Sequence, residues 1–305
     1  MEVRDMTIAI EAVGLTKYYG DTPGIVDLDL EVVTGEIFGF LGPNGAGKST
    51  TIRTYLDLLH PSSGTVTILG YDSHEESVDI RRRTGYLPGD LSMYDDMTAR
   101  EMLRYFSSLR GVDTTARVKE LADRLQLDLD IKIGSYSSGN RQKVGIVQAF
   151  MHDPELLILD EPSTGLDPLM QQEFYQMLDE VRRAGSTVFL SSHILPEVER
   201  TADRIGIVRN SRLVTVQTVD DLKARARRHF QIVFAEQILP AEFSKLPGVQ
   251  SAMSSHDGYG VDILIEGPVD GLLGKAAEHR MENVISHEGD LEEAFLAFYV
   301  EDDAA

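Results

Sequence analysis

Apolar positions along the first two thirds of the chain follow two alternating rhythms. Short runs rich in Val, Ile, Leu and Phe at residues 8–12, 26–33, 36–41, 65–69, 156–160 and 187–191 predict β-strands. Between them, residues 48–59, 98–126, 138–151, 168–184 and 195–201 predict helices. Within 98–126, Leu103, Phe106 and Leu109 recur every third position, the spacing of a helix face. Residues 156–160 read Leu-Leu-Ile-Leu-Asp without alternation, the pattern of a strand covered on both faces. Pro61-Ser62-Ser63-Gly64 reads as a turn, and 205–208 with 213–217 as a hairpin turning at Asn210-Ser211. Strands alternating with helices predict an α/β fold with a largely parallel sheet.

The pattern changes near Val219. Lys223, Arg225, Arg227 and Arg228 form the densest basic run, expected to be a solvated helix face. Beyond it the expected elements are strand 230–234, helix 241–246, strands 249–253 and 261–265, helix 269–279 and strand 284–287. That order, βαββαβ, is the split βαβ or ferredoxin-like pattern of a small α+β domain. A last amphipathic helix is expected at 291–299, with Phe295, Phe298 and Tyr299 as its core stripe. We place a boundary near 220, giving units of 1–219 and 220–305.

Composition narrows the function classes. The 305 residues carry a net charge of −21, which disfavours binding to nucleic acid or an anionic membrane surface. Residues 220–305 hold 17 acidic against 7 basic residues, so nearly half the charge lies there. Zero Cys excludes disulfides, thiol catalysis and thiolate metal sites. Residues 1–14 lack an apolar core of signal-peptide length, and no run approaches 18 apolar residues, so no transmembrane helix is expected. His60, His74, His152, His229, His256, His279 and His287 show no metal-ligand spacing and are expected in ordinary surface or core roles.

Two segments carry chemistry. Gly42-Pro43-Asn44-Gly45-Ala46-Gly47-Lys48-Ser49 fits G-x-x-x-x-G-K-[ST], between an apolar strand and a helix. Phosphate oxygens must be approached closely by successive backbone N–H groups, which excludes Cβ atoms at several of these positions. The following helix aims its positive end at the anion. Lys48 is expected to reach the terminal phosphates, and the Ser49 hydroxyl to ligate Mg²⁺. The second segment ends a buried strand with Asp160 and Glu161 at its C-terminal edge, where open α/β sheets bind ligands. Asp160 is expected to hold Mg²⁺ and Glu161 to accept a proton from the attacking water.

With these in place, residues 7–218 resemble the ATP-binding subunits of ABC transporters. Tyr19, 29 residues before Lys48, stands where that family stacks an aromatic on adenine. Tyr136-Ser137-Ser138-Gly139-Asn140 stands at the family's signature, Ser163-Thr164-Gly165-Leu166-Asp167 at its D-loop, and His193 at its switch histidine. Gly85-Tyr86-Leu87-Pro88-Gly89-Asp90, the 191–197 stretch and 289–295 resemble the type-2 drug and polysaccharide exporter branch.

The resemblance implies a P-loop ABC cassette with a helical insert at about 89–137. It implies ATP and Mg²⁺ as ligands, hydrolysis to ADP and phosphate, and a head-to-tail dimer. Gly42, Asn44, Gly45, Ala46, Gly47, Lys48, Ser49 and Thr50 of one copy then share ATP with Ser137, Gly139 and Asp167 of the other, and Glu161, His193 and Lys48 act on it. It further implies an integral membrane permease as partner and a place at the cytoplasmic face of the cell membrane.

Two segments depart from the family. Its usual Gln is replaced by Gly89, and its Leu-Ser-Gly-Gly-Gln reads Tyr-Ser-Ser-Gly-Asn, so Ser138 adds a Cβ. Rival readings are a translation-factor ATPase, which carries two phosphate loops where this chain has one, and a chromosome-maintenance ATPase, which splits the cassette with a coiled coil. Here Lys48 and Asp160 are only about 110 residues apart. An importer subunit is the third alternative.

Overall fold

The computed structural model describes residues 7–225 and 228–287. The helix expected at 291–299, the 289–295 stretch and Arg227 lie outside the described residues. The chain divides into two compact units, Met1–Val216 and Gln217–Ala305.

In the first unit, β1 (Ile8–Tyr19) and β2 (Thr22–Val33) form a long antiparallel pair, and β3 (Ile37–Leu41) leads into α1 (Lys48–Tyr55). Then come β4 (Ser63–Ile68), β5 (Tyr71–Asp72), α2 (Ser77–Arg83) and β6 (Thr84–Leu87). The insert holds α3 (Ala99–Arg110) and α4 (Thr115–Arg124), followed by α5 (Ser138–Phe150) and β7 (Leu156–Asp160). The unit closes with α6 (Pro168–Arg183), β8 (Thr187–Ser192), α7 (Leu195–Thr201), β9 (Arg204–Arg209) and β10 (Arg212–Thr218).

One sheet has the order β2-β1-β4-β5, the other β10-β9-β3-β8-β7-β6. The five strands from β9 to β6 run parallel. The β9–β10 hairpin turns at Asn210 and Ser211, both left-handed (φ 48° and 62°) as a tight two-residue hairpin turn requires.

The unbroken apolar run of β7 has a direct structural cause. Leu156 and Ile158 pack with Phe38, Phe40 and Phe189 beneath the antiparallel sheet. Leu157 and Leu159 pack with Val144, Val147 and Phe174 beneath the helices of the other face. A period of two therefore supplies both cores. Tyr55, at the end of α1, sets its ring edge-on to Phe189 at 5.5 Å and so fixes the helix that carries Lys48.

The single helix expected over 98–126 is two. Gly111 takes φ 70° and ends α3 in a left-handed cap, and Thr98 and Glu101 start α3 with a capping box. Met102 and Leu103 face the core, but Leu109 is 64% exposed, so its threefold spacing did not mark the buried face.

The second unit contains α8 (Val219–Arg225), β11 (Arg228–Phe234), β12 (Val249–Ser255), β13 (Gly260–Ile265), α9 (Asp270–Ala276) and β14 (Met281–His287). Its sheet has the order β12-β13-β11-β14, antiparallel throughout. This is the strand order of a split βαβ unit. The first helix of that pattern, expected over 241–246, is reduced to a 3₁₀ turn at Pro240–Glu242. Pro240 and Pro247 bracket too few residues for a second turn, and the residue before Pro247 is biased away from helical backbone.

Candidate functional site

The phosphate loop is the segment between β3 and α1. Gly45 (φ 81°) and Gly47 (φ 106°) hold left-handed backbone that side chains resist. A Cβ on Gly47 would stand 2.1 Å from the Gly24 carbonyl oxygen, and one on Gly42 would stand 2.3 Å from that of Val208. Gly47 also occupies the N-cap of α1, where it offers no side-chain acceptor to the first N–H groups of the helix. Those groups remain available to an anion.

Tyr19, Asn44, Gly45, Gly47, Lys48, Ser49, Thr50 and Glu161 line one cleft, with Thr22, Pro23, Gly24 and Pro43. Gly42 and Ala46 do not line it. Ala46 is 3% exposed and packs into the core beneath the loop. Tyr19 is 47% exposed, with its hydroxyl 3.4 Å from Thr50 Oγ1 and the Lys17 ammonium 5.7 Å from its ring centre. The neighbouring Tyr18 is also exposed but does not line the cleft.

Lys48 is 5% exposed. Its Nζ donates to the Gly42 carbonyl at 2.6 Å and the Pro43 carbonyl at 3.3 Å, and lies 3.1 Å from Glu161 Oε1. His193 Nδ1 is 2.7 Å from the other Glu161 oxygen. Glu161 reaches both because its backbone is left-handed (φ 50°), held by N–H bonding to Ser191 O at 3.1 Å. For a residue with a Cβ this conformation costs on the order of 1 kcal/mol, a strain typical of functional sites.

Asp160 is 1% exposed and accepts from Ser191 Oγ at 2.5 Å. A Cβ at Gly89 would lie 3.2 Å from Asp160 Oδ2. The position where the family carries Gln therefore stands over this carboxylate, and the glycine leaves the space beside it open. Burial, and then the Asp160 charge, push the Tyr86 phenol above its ordinary range. The Ser49 hydroxyl and the buried Asp160 carboxylate are both oxygen donors, the chemistry that suits a hard divalent cation such as Mg²⁺. The glycine cradle and the uncapped helix fit a phosphate chain.

Ser137, Gly139 and Asp167 do not line this cleft. Ser137 is exposed and caps α5, accepting from Asn140 N at 3.2 Å. Ser138 is the first residue of α5 and is not left-handed, so its Cβ is accommodated without strain. A Cβ on Gly139 would lie 2.5 Å from the Gly165 carbonyl oxygen, so signature and D-loop meet backbone to backbone within one chain. Asp167 caps α6, accepting from the N–H groups of Leu169 and Met170 at 3.0 Å each.

Two further residues organise the site. Gln142, 6% exposed on α5, donates to the Pro162 carbonyl at 2.8 Å and ties the signature helix to the loop after Glu161. Glu197, 3% exposed on α7, accepts from Ser192 Oγ at 2.6 Å, next to His193. Burial pushes its carboxyl above the usual range, against hydrogen bonds from Ser192 and Ser163 that lower it. No local pattern in the sequence marks either residue, because the groups each one bonds come from other elements.

Residues 25–164 match the family model described as ABC transporter. The bacitracin transport ATP-binding protein BcrA of Bacillus licheniformis is 37% identical over 76% of this chain and 77% of its own length. The daunorubicin/doxorubicin resistance ATP-binding protein DrrA of Streptomyces peucetius is 37% identical over 72% of this chain and 68% of its own. A solved structure, that of an ATP-binding subunit of an ABC transporter, superposes with a TM-score of 0.67 at 33% identity, covering 71% of this chain and 92% of the other. A glycine-rich loop leading into an uncapped helix, a buried carboxylate at a strand end and a Glu–His pair agree with these likenesses: the chain belongs to the ABC transporter family, among its ATP-binding proteins.

Proposed function

We propose that the chain is the ATP-hydrolysing subunit of a membrane exporter, working as a pair of cassettes beneath an integral membrane permease at the cytoplasmic face. The observation that carries the reading is the meeting of Lys48 and Glu161 in one cleft beside a glycine cradle, with His193 held against the other Glu161 oxygen. Family membership and the names of the relatives, one for bacitracin transport and one for daunorubicin/doxorubicin resistance, support the exporter branch.

In this reading the Tyr19 ring stacks on adenine. The N–H groups of the loop and the start of α1 hold the phosphates, and Lys48 neutralises the terminal one. Mg²⁺, held by Ser49 and Asp160, supplies charge neutralisation at the phosphate oxygens when bound. Glu161 accepts the proton of the attacking water, and His193 orients that carboxylate. Ser137, exposed at the start of α5, completes the site of a second copy. ATP then favours the closed pair, and hydrolysis removes the shared anion. The insert at 89–137 passes the movement to the permease, and residues 220–305 act as an accessory unit that steadies or regulates the pair.

Among the described residues no helix is long and apolar enough to cross a membrane, and in this reading the permease supplies the membrane path. Copurification from detergent-solubilised membranes, with sequencing of the integral protein recovered, tests the assignment. An integral permease is expected. Recovery of ribosomes or DNA in its place overturns the exporter reading.

A further inference from the structure

A second cluster of ligating side chains lies away from the nucleotide cleft, at the far end of α1. Asp57 follows the helix in left-handed backbone (φ 54°), and its carboxylate is 13% exposed. His60 Nδ1 and His74 Nδ1 lie 3.1 Å and 3.0 Å from the same oxygen, Asp57 Oδ1. The three atoms all fall within 4.8 Å of one another. The two rings meet edge to face at 5.0 Å.

We propose that Asp57, His60 and His74 form a binding site for a divalent transition-metal ion of the zinc class. Ligand atoms about 2.0–2.2 Å from a tetrahedral zinc stand roughly 3.4 Å from one another. The observed separations approach that value, so a cation is accommodated by small rotations of two exposed rings (72% and 66% exposed). Two imidazoles and one carboxylate suit zinc, cobalt or nickel rather than Mg²⁺ or Ca²⁺. Three protein ligands leave a fourth position for water.

The supports of the two histidines are built independently of any metal. The Asp72 carboxylate accepts from the N–H groups of His74 and Glu75 at 2.9 Å and 3.0 Å, which fixes the turn that presents His74. The Lys17 ammonium donates to the His60 carbonyl at 2.7 Å. Asp72 and Glu75 line the same groove as both histidines and add negative charge around the cation. Sequence spacing hid the cluster, because His60 and His74 come from different elements and meet only through the fold. A bound ion joins the segment after the phosphate-loop helix to the turn that follows β5. It also braces Lys17, whose ammonium faces the Tyr19 ring.

Metal binding requires both Nδ1 atoms unprotonated, so it competes with the hydrogen bonds seen here and weakens as the rings charge. The test uses the full, untagged chain, stripped with chelator and held in excess Mg²⁺ to occupy hard oxygen sites. Zn²⁺ is titrated by calorimetry and Co²⁺ by its visible absorption. We expect about one equivalent bound with a dissociation constant in the micromolar range, a raised melting temperature, and at least a tenfold loss of affinity in His60→Gln and in His74→Gln. Both histidines are exposed, so the variants keep the fold, which the melting temperature without metal verifies. Absence of saturable binding, or an isotherm unchanged in the double variant, overturns the proposal.

Discussion

Lys48 Nζ and Glu161 Oε1 stand 3.1 Å apart in a cleft that leaves the lysine only 5% exposed. The residue assigned to the terminal phosphate and the residue assigned to the water therefore neutralise each other directly. A phosphate arriving at Lys48 competes with Glu161 for that ammonium. In the proposed reading its binding and the release of Glu161 toward water are parts of one exchange, while His193 Nδ1 stands 2.7 Å from the other carboxylate oxygen.

Glu161→Gln keeps the shape and removes the base. We expect hydrolysis to fall by about 10²–10⁴, the range for loss of a general base, while ATP still binds. Nucleotide affinity and phosphate release, measured on the same preparation, check this. Near-normal turnover would remove Glu161 from its assigned role.

Tyr19→Ala is expected to raise KM with little change in kcat, because stacking acts equally on ground and transition states. Loss of about 1–3 kcal/mol of base stacking corresponds to roughly 5- to 150-fold in KM. Tyr18→Ala is the internal control: Tyr18 is nearly as exposed as Tyr19 but lies off the cleft, and its KM is expected to stay at the wild-type value.

Glu197 provides a pH test. Its carboxyl is raised by burial in the folded state, so the folded chain holds its proton more tightly than the unfolded chain does. The stability this contributes is fully present below the ordinary Glu pKa and is lost as pH rises through the raised folded value. Glu197→Gln keeps an acceptor for Ser192 and removes the titration. Its melting temperature relative to wild type is expected to rise across that window and to level off on either side. Glu197→Ala also frees Ser192 beside His193, and a fall of about 10- to 100-fold in kcat is expected from the misplaced histidine. A parallel shift of both variants at all pH values would contradict the assignment.

The parts of the molecule legible in sequence are those whose physics is local. The β7 run and the glycine spacing before Lys48 point to a strand and a cradle by themselves, and the paired acids Asp160 and Glu161 gain their meaning from their distance after that loop. Periodicity misled where local rules compete. Gly111 stops α3 although the apolar spacing continues past it, and Leu109 takes the helical rhythm without the burial. Gln142, Glu197 and the Asp57–His60–His74 cluster were hidden because their partners come from other elements. Only the packed fold brings Glu197 to Ser192 or His74 to Asp57.

Gly139 separates a folding role from a role in pairing. Its Cβ position lies 2.5 Å from the Gly165 carbonyl, well inside contact distance, and the obstacle is backbone rather than a flexible side chain. Gly139→Ala must therefore push the start of α5 away from the D-loop, overpacking that costs about 1–3 kcal/mol. For a unit of this size the melting temperature falls by roughly 2–4 °C per kcal/mol. The same shift moves Ser137, two residues away and exposed, which in the paired reading faces the terminal phosphate held by the other copy. ATP-dependent association, followed by light scattering in the Glu161→Gln background, is expected to weaken in the double variant, while ATP binding to the single chain stays intact because Gly139 does not line that cleft. Loss of monomer ATP affinity together with association would place Gly139 in the wrong half of the site. Unchanged association would detach the α5 start from the interface.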